Sequence, residues 1–165
     1  MITHYFKTVQ DTALKTLETP RTGVWTHVVE PTTEEVEAVA QEYALDKTLL
    51  EDAQDWFEVP RMERSGGVNY FYTRYPFVKE NKEVETAPLL VAMGESFVLT
   101  LALREVPQFA AFLDSGTEVV TTQKTKLFIT LIKSISESFE KELTRLRRAV
   151  HRDRVKLRRI GPREI

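Results

Sequence analysis

The sequence has no cysteine among its 165 residues. A disulfide framework, a cysteine-rich zinc site and a thiol nucleophile are therefore excluded. Long hydrophobic runs are also missing: the uncharged stretch at residues 86–94 is among the longest, whereas a membrane-spanning helix needs about 20 apolar residues. The N-terminus lacks the basic and apolar segments of a signal peptide. We expect the chain as given to be soluble.

Motifs of catalysis are missing as well. The sequence has no glycine-rich phosphate loop, no nucleophile elbow and no His-Glu-x-x-His zinc motif. Its three histidines, His4, His27 and His151, stand apart from one another, and an isolated histidine is more often structural than a ligand. We therefore predict that the protein is not an enzyme and has no catalytic residues.

Acidic residues cluster at two places. Glu34 and Glu35 lie at a predicted helix start, where the helix dipole favours carboxylates. Glu80, Glu83 and Glu85 lie in and beside a predicted hairpin loop, and they offer the oxygen ligands that a hard divalent cation takes. A solvated loop is the alternative for this second cluster.

The rest of the composition is that of a folded globular domain. Hydrophobic residues make up 42% of the chain and charged residues 29%. The charge is uneven, because ten of the 23 basic residues but three of the 25 acidic ones lie in residues 141–165. The C-terminal end therefore carries +7 and the first 140 residues −9. A basic end of this kind indicates either an acidic partner or a solvated helix face.

Local patterns predict a mixed α/β body over residues 1–121. Alternating, β-branched and aromatic residues indicate strands at 2–9, 12–18, 24–29, 68–78, 84–93 and 97–103, the last three as an antiparallel meander. Thr32 and Glu35 have the spacing of a capping box, and short helices are expected from Asp46 and over 107–113. The fold class is α/β (α+β), a mixed sheet sandwiched between helices. The predicted core contains Trp25, Val28, Phe71, Leu90, Leu99 and Leu101.

The C-terminal end predicts one long projecting helix over residues 122–160. This segment has no glycine or proline, and its apolar residues recur three, four or seven positions apart. At 1.5 Å per residue the helix is about 55 Å long, which is more than a body of this size spans. Gly161 and Pro162 end it. We expect residues 122–165 to form a second unit, a long amphipathic helix and the start of a truncated helical hairpin.

The apolar stripe of this helix divides into two parts. The part expected to pack on the sheet comprises Phe128, Ile132, Ile135 and Phe139. The part expected beyond the reach of the body comprises Leu146, Val150, Leu157 and Ile160. An uncovered apolar stripe favours association with another surface.

Aromatic residues in one predicted strand raise the question of nucleic-acid binding. Tyr70, Phe71 and Tyr72, followed by Arg74, form a pattern with which RNA-binding sheets stack bases. The net charge of −9 on the first 140 residues opposes a phosphate backbone. We interpret the aromatic residues as core and sheet surface and predict no nucleic-acid partner.

Four stretches of the chain follow one another in a recognisable order. Residues 24–35 read Val-Trp-Thr-His-Val-Val-Glu-Pro-Thr-Thr-Glu-Glu, residues 43–53 contain Leu-Leu-Glu-Asp, and residues 59–63 read Val-Pro-Arg-Met-Glu. The three strands of the meander come next, within 68–103. This order resembles the N-terminal cytoplasmic domain of CorA-type magnesium and cobalt transporters, over about residues 23–140.

The resemblance implies the cytoplasmic part of a Mg²⁺ or Co²⁺ transporter, cut before its transmembrane helices. The full-length protein would be a homopentamer in the cell membrane, with this domain on the cytoplasmic side. Some members bind a regulatory divalent ion between subunits. The equivalent turn here is residues 78–81, where Lys79 precedes Glu80, and Glu80 is the candidate metal ligand. No firmly bound cofactor is implied, since Mg²⁺ or Co²⁺ is the transported or regulatory ion.

Three hypotheses of function follow. The first is the regulatory, ion-sensing domain of a CorA-like divalent-cation transporter. The alternative is a stand-alone soluble adaptor that binds an acidic partner through its basic helix. The third is a nucleic-acid binder that uses the same helix, which would show a steep dependence on salt.

Overall fold

The computed structural model describes residues 1–115 and 119–159, with one seven-stranded mixed sheet. The order of the strands in the sheet is β2-β1-β3-β7-β6-β5-β4. β3 and β7 run parallel, and the other neighbouring pairs run antiparallel. The strands are β1 Ile2–Phe6, β2 Lys15–Leu17, β3 Val24–Val29, β4 Arg61–Ser65, β5 Val68–Val78, β6 Val84–Met93 and β7 Phe97–Ala102. The predicted meander is β5, β6 and β7.

Helices cover both faces of the sheet. They are α1 Thr33–Glu42, α2 Lys47–Asp52, a 3₁₀ helix Pro107–Phe109 that continues as α3 Ala110–Ser115, and α4 Lys124–Arg159. The predicted capping box begins α1: the Glu35 amide donates to the Thr32 hydroxyl at 3.2 Å, and the Thr32 amide donates to the Glu35 carboxylate at 3.0 Å. The predicted start of the second helix is confirmed too, because Asp46 caps α2.

Two apolar clusters hold the layers together. One lies between the sheet and the first two helices and contains Val28, Leu50 and Leu99. The other lies on the opposite face and joins the sheet to the 3₁₀ helix, α3 and α4, with Trp25 and Phe109 among its members. The predicted sandwich of a mixed sheet between helices is therefore confirmed.

The predicted core is correct except at Phe71. Its ring is half-buried and packs against Phe128 of α4, with ring centroids 4.5 Å apart. Phe71 pairs with Met62 of β4, the edge strand of the sheet, so its face lies at the margin of the helix cover. The other five predicted core residues are buried, namely Trp25, Val28, Leu90, Leu99 and Leu101.

Helix α4 packs on the sheet through its first turns and then leaves the body. Its buried residues are Leu127, Leu131 and Ile135. Of the four residues expected to pack on the sheet, Ile135 is buried, and Phe128, Ile132 and Phe139 are half-buried against the same cluster. The expected packing of this part of the helix is therefore confirmed, and Leu127 and Leu131, which the prediction did not name, are buried with it.

Polar contacts fix the start of α4 to the body. The Lys124 ammonium donates to the Gly94 carbonyl at 2.8 Å and also to the Glu95 carbonyl. The Lys7 amide donates to the Thr121 hydroxyl at 2.8 Å. These contacts set the direction in which the helix leaves the sheet. The helix break at Gly161 and Pro162 and the side chains of Leu157 and Ile160, which the sequence analysis singled out, lie outside the described part of the chain.

Candidate functional site

The acidic hairpin between β5 and β6 is open to solvent. Glu80 and Glu83 are exposed, whereas the Glu85 carboxylate forms an ion pair with Lys79. Among the described residues, no group of three or more His, Cys, Asp or Glu side chains is placed to hold a metal ion. The three carboxylates that the sequence singled out therefore do not converge within one chain, and a metal role for Glu80 stays a prediction.

Two of the three histidines are packed into the body as structural groups. His27 is buried, with its ring 5.7 Å from Trp25 and 5.5 Å from Phe109. Burial lowers the pKa of His27 to about 4, because the imidazolium form cannot be solvated there. His4 lies 2.9 Å from the Thr26 hydroxyl, and burial lowers its pKa too. Both rings are therefore neutral at pH 7.

His151, in contrast, is exposed on α4. No described contact brings the three histidines together, as the sequence predicts.

The aromatic strand β5 does not offer a stacking surface. Tyr70 and Tyr72 are buried; the Tyr70 hydroxyl accepts from the Asp46 amide at 2.9 Å, and the Tyr72 hydroxyl donates to the Leu49 carbonyl at 2.7 Å. Burial raises the pKa of both hydroxyls. The interpretation of these residues as core is confirmed.

Arg74, the basic residue of the same strand, is engaged with the protein itself. Its guanidinium donates to the Thr86 hydroxyl at 2.9 Å, the Trp56 carbonyl at 2.9 Å and the Glu58 carbonyl at 3.0 Å. Arg74 thereby ties β5 to the loop that precedes β4, instead of facing a phosphate.

Two of the stretches that carry the family resemblance, residues 43–53 and 59–63, meet in a charged cluster at the edge of the sheet. Arg61 donates to Asp52 at 2.7 Å and to Glu63 at 2.6 Å, and it also contacts Glu58. Its guanidinium lies 4.0 Å above the ring of Tyr72, a cation–π contact. The carboxylates of Asp52, Glu58 and Glu63 thus all form ion pairs with Arg61. No local pattern in the sequence predicts this cluster, because its members are separated along the chain and meet only in the fold.

The free part of α4 carries the second candidate surface. Phe139 is half-buried, while Leu143, Leu146 and Val150 are 64%, 60% and 50% exposed. We call these four residues the apolar seam. They follow one another at spacings of four, three and four, which places them on one side of the helix.

A groove of about 640 Å³ lies between the apolar seam and the β5–β6 hairpin. Pro76 and Val84 form its hairpin wall. Glu142 lies at its edge, with a carboxylate oxygen 3.5 Å from a guanidinium nitrogen of Arg145. The same oxygen is buried and has no hydrogen-bond partner among the described residues. Charged side chains of the hairpin, Lys82, Glu83 and Glu85, line the groove as well. The groove therefore combines apolar and charged walls.

Basic side chains surround the apolar seam on the rest of the helix. Arg147, Arg148, Arg152 and Arg154 are exposed. The predicted basic face is thus solvated in this structure and free to meet a surface of opposite charge. No helix in the described part of the chain is both long and apolar enough to cross a membrane.

The fold and the exposed part of α4 together define the structural class of this protein. It is an α/β domain of one sheet between two helical layers, from which a single amphipathic helix projects. A model of the family described as CorA-like Mg²⁺ transporter protein matches residues 21–160. The chain therefore belongs to this family, as the sequence resemblance predicts. Comparison with curated protein sequences finds no match.

Solved structures share the fold at low sequence identity. The soluble domain of CorA from Methanocaldococcus jannaschii is similar at a TM-score of 0.77 and 16% identity, over 95% of this chain and 64% of that one. The complete CorA magnesium transporter of the same organism gives 0.76 and 15%, over 95% and 51%. The ZntB cytoplasmic domain from Vibrio parahaemolyticus gives 0.74 and 8%, over 91% and 63%. The chain thus spans less than two thirds of each of these proteins.

Proposed function

We propose that this chain is the cytoplasmic, ion-sensing domain of a CorA-like Mg²⁺ or Co²⁺ membrane transporter. The observation that carries the proposal is the family match over residues 21–160, together with the similarity to the complete CorA magnesium transporter. The body, residues 1–121, and the helical unit, residues 122–165, would be its two parts. The full-length protein would be a homopentamer in the cell membrane, with no enzymatic activity.

The proposed mechanism is a shift of populations. An ion held between neighbouring domains would favour one arrangement of the subunits, and loss of the ion would loosen them. Glu80 is the candidate ligand, since it is exposed on the β5–β6 hairpin. Hard divalent cations take six or more oxygen ligands. Glu80 and Glu83 supply few of these ligands, so water and oxygen atoms of a neighbouring subunit would complete a site between domains.

Transport is tested on the complete protein in membranes. We expect it to restore growth of a magnesium-uptake-deficient strain at low magnesium and to admit Mg²⁺ or Co²⁺ into liposomes. Absence of uptake by a correctly inserted protein contradicts the proposal.

Ion sensing is tested separately, by proteolysis of the complete protein over a range of magnesium concentrations. We expect millimolar magnesium to protect the domain. Glu80→Gln should shift the protective concentration several-fold upward, and Glu95→Gln, an exposed acid in the turn between β6 and β7, should not. If the two variants behave alike while transport persists, Glu80 is not a ligand.

The isolated 165-residue chain should bind magnesium weakly. Too few described oxygen ligands converge within one copy, and a shared site needs its neighbour. Calorimetric titration with millimolar magnesium should therefore give little heat. A stoichiometric micromolar site would contradict the proposed sharing between subunits.

A further inference from the structure

The far part of α4 differs from its first part in the balance of charge. Residues 124–143 hold four lysines and three glutamates, and Lys133 and Glu137 form an ion pair there at 3.5 Å. Residues 144–154 hold five arginines, no lysine and one acid, Asp153. Positive charge is therefore concentrated on the projecting part of the helix.

Four of these five arginines have no partner in the described part of the chain. Arg145 lies 3.5 Å from a carboxylate oxygen of Glu142. The other four are exposed and form no ion pair or hydrogen bond with any described residue. We call them the arginine face, which consists of Arg147, Arg148, Arg152 and Arg154.

The arginine face is an open, convex surface. None of its residues lines the groove between the apolar seam and the β5–β6 hairpin. Arg147 and Arg154 are seven positions apart, and Arg148 and Arg152 are four apart, so they form two rows on neighbouring sides of the helix. No wall encloses a small anion there. A planar array of anions, in contrast, can meet both rows, because arginine side chains are long.

The acidic body is too far away to oppose such a contact. In the described part of α4 the last buried residue is Ile135, and Arg147 and Arg154 follow it by 12 and 19 positions. At 1.5 Å per residue they lie about 18 and 28 Å beyond it. Charges in water are screened over about 8 Å at physiological ionic strength. The −9 carried by residues 1–140 therefore does little to repel an anionic surface from this end.

The residue types indicate phosphate groups, and lipid rather than nucleic acid as their source. Arginine presents a planar fork of donors that binds phosphate in bidentate geometry. Single-stranded nucleic acid is held by stacking of its bases on aromatic side chains as well. Residues 140–165 contain no Phe, Tyr or Trp, and Tyr70 and Tyr72 of β5 are buried.

We propose that the arginine face is a membrane-contact surface, which binds the phosphate groups of anionic lipids. The choice of lipid rests on the proposed transporter function, because that function places the domain beside a membrane. Each basic residue near an anionic bilayer strengthens binding about fivefold. Four arginines therefore give a weak attachment that depends on salt, and this attachment orients the end of α4 relative to the bilayer.

Vesicle sedimentation of the 165-residue chain tests the contact. At millimolar lipid and low salt, we expect binding to vesicles of equal parts phosphatidylcholine and phosphatidylglycerol, and none to pure phosphatidylcholine. High salt should release the chain, because the attraction is screened. Absence of binding to the anionic vesicles, or equal binding to both kinds, would overturn the proposal.

A charge-matched pair of variants tests the assignment to the arginine face. Arg147→Gln with Arg148→Gln should weaken binding by more than tenfold. Lys126→Gln with Lys133→Gln removes the same charge from exposed side chains on the same helix, close to the body, and should change binding by less than about twofold. All four side chains are exposed, so melting of the body should be unchanged. Equal losses in the two variants would contradict a specific role of the arginine face.

A fluorescent label reports which part of α4 meets the bilayer, because the chain has no cysteine of its own. Val155 follows Arg148 by seven positions and is 38% exposed, and Ile129, near the start of the helix, is 58% exposed. A polarity-sensitive dye on Val155→Cys should change its emission when anionic vesicles are added. The same dye on Ile129→Cys should not. An equal response at the two positions contradicts contact through the end of the helix.

Competition separates lipid from nucleic acid. A short DNA duplex at the same phosphate concentration should displace little of the vesicle-bound chain, and tighter binding to the duplex would assign the arginine face to nucleic acid and overturn the lipid contact. The result is also separable from transport. Vesicle binding by the chain without uptake by the complete protein contradicts the proposed function alone, whereas uptake without vesicle binding contradicts the lipid contact alone.

Discussion

Gly94 lies directly against the ring of Phe97, so that a Cβ at position 94 would overlap the Cε1 and Cζ atoms of that ring. Phe97 is buried and packs on Tyr43, with ring centroids 4.5 Å apart. The ring therefore has little room to move away. The turn between β6 and β7 needs glycine at this position for steric reasons.

Gly94→Ala should consequently destabilise the protein by about 1–3 kcal/mol, the range for overpacking in a filled core. Urea denaturation measures the loss. Gly66→Ala is the matched comparison: nothing lies within 4 Å of its added Cβ, but its φ of +57° is left-handed. That variant should lose about 1 kcal/mol from the backbone alone. Equal losses in the two variants would contradict the steric explanation.

A single hydroxyl serves two buried rings. The Trp25 indole N–H donates to the Thr100 hydroxyl at 2.9 Å, and Nδ1 of His27 lies 2.7 Å from the same oxygen. Thr100→Val keeps the shape of the side chain and removes the hydroxyl. We expect a loss of about 1–3 kcal/mol, because two buried polar groups lose a partner.

Chemical denaturation compares Thr100→Val with Thr130→Val. The Thr130 hydroxyl bonds to the Lys126 carbonyl on the exposed side of α4. This control should change stability by less than about 0.5 kcal/mol. If the two variants are equally stable, the buried hydroxyl does not support the two rings.

Sequence signals predicted those parts of the fold that short-range chemistry determines. Thr32 and Glu35 are three residues apart, and their reciprocal hydrogen bonds form as the capping box requires. The meander was predictable because its strands follow one another along the chain, are rich in β-branched and aromatic residues, and are separated by short turns. The exposure of Leu146 and Val150 was predictable because the spacing of apolar residues in a helix gives their common side, whereas Phe139 of the seam was expected to pack on the sheet.

Long-range arrangements were not predictable in the same way. The parallel pairing of β3 with β7 joins strands about 70 residues apart, and no local pattern specifies it. The cluster around Arg61 depends on Asp52 and Glu63 meeting at the sheet edge. For Glu80 the sequence offers a candidate ligand, but a site between subunits depends on a surface that one chain does not carry.

Leu99 provides a direct measure of the core. It is fully buried in β7, within the cluster that joins the sheet to α1 and α2. Leu99→Ala should destabilise the protein by about 2–5 kcal/mol, the range for a buried leucine that leaves a cavity. Leu146→Ala, on the exposed seam, is the control and should cost less than about 0.5 kcal/mol in dilute solution. An unchanged melting temperature for Leu99→Ala would contradict the core assignment.

The buried His27 makes stability depend on pH in mildly acidic solution. Its pKa is about 4 in the folded protein, against 6.5 for an ordinary histidine. Between these values the unfolded chain binds a proton that the folded chain does not. The free energy of unfolding therefore rises with pH in this window, and its contribution from His27 is complete above pH 6.5 and is lost as the pH falls.

Lowering the pH from 6.5 to about 5 should cost about 2 kcal/mol through His27. This interval lies above the range of the carboxylates at Glu34 and Glu35, whose pKa values are lowered by hydrogen bonds, so they do not contribute there. His4, with a pKa lowered by burial, adds in the same direction. Urea denaturation at several pH values in this interval gives the slope.

The slope of the unfolding free energy against pH gives the number of protons taken up on unfolding. His27→Asn should reduce this number by up to one, and the contribution of His4 should remain. Direct titration of the His27 ring by NMR should also give a midpoint well below 6.5, the value of an ordinary histidine. If His27→Asn and the wild type show the same slope, the imidazole at position 27 is not the group that must be neutral for the sheet and the 3₁₀ helix to pack.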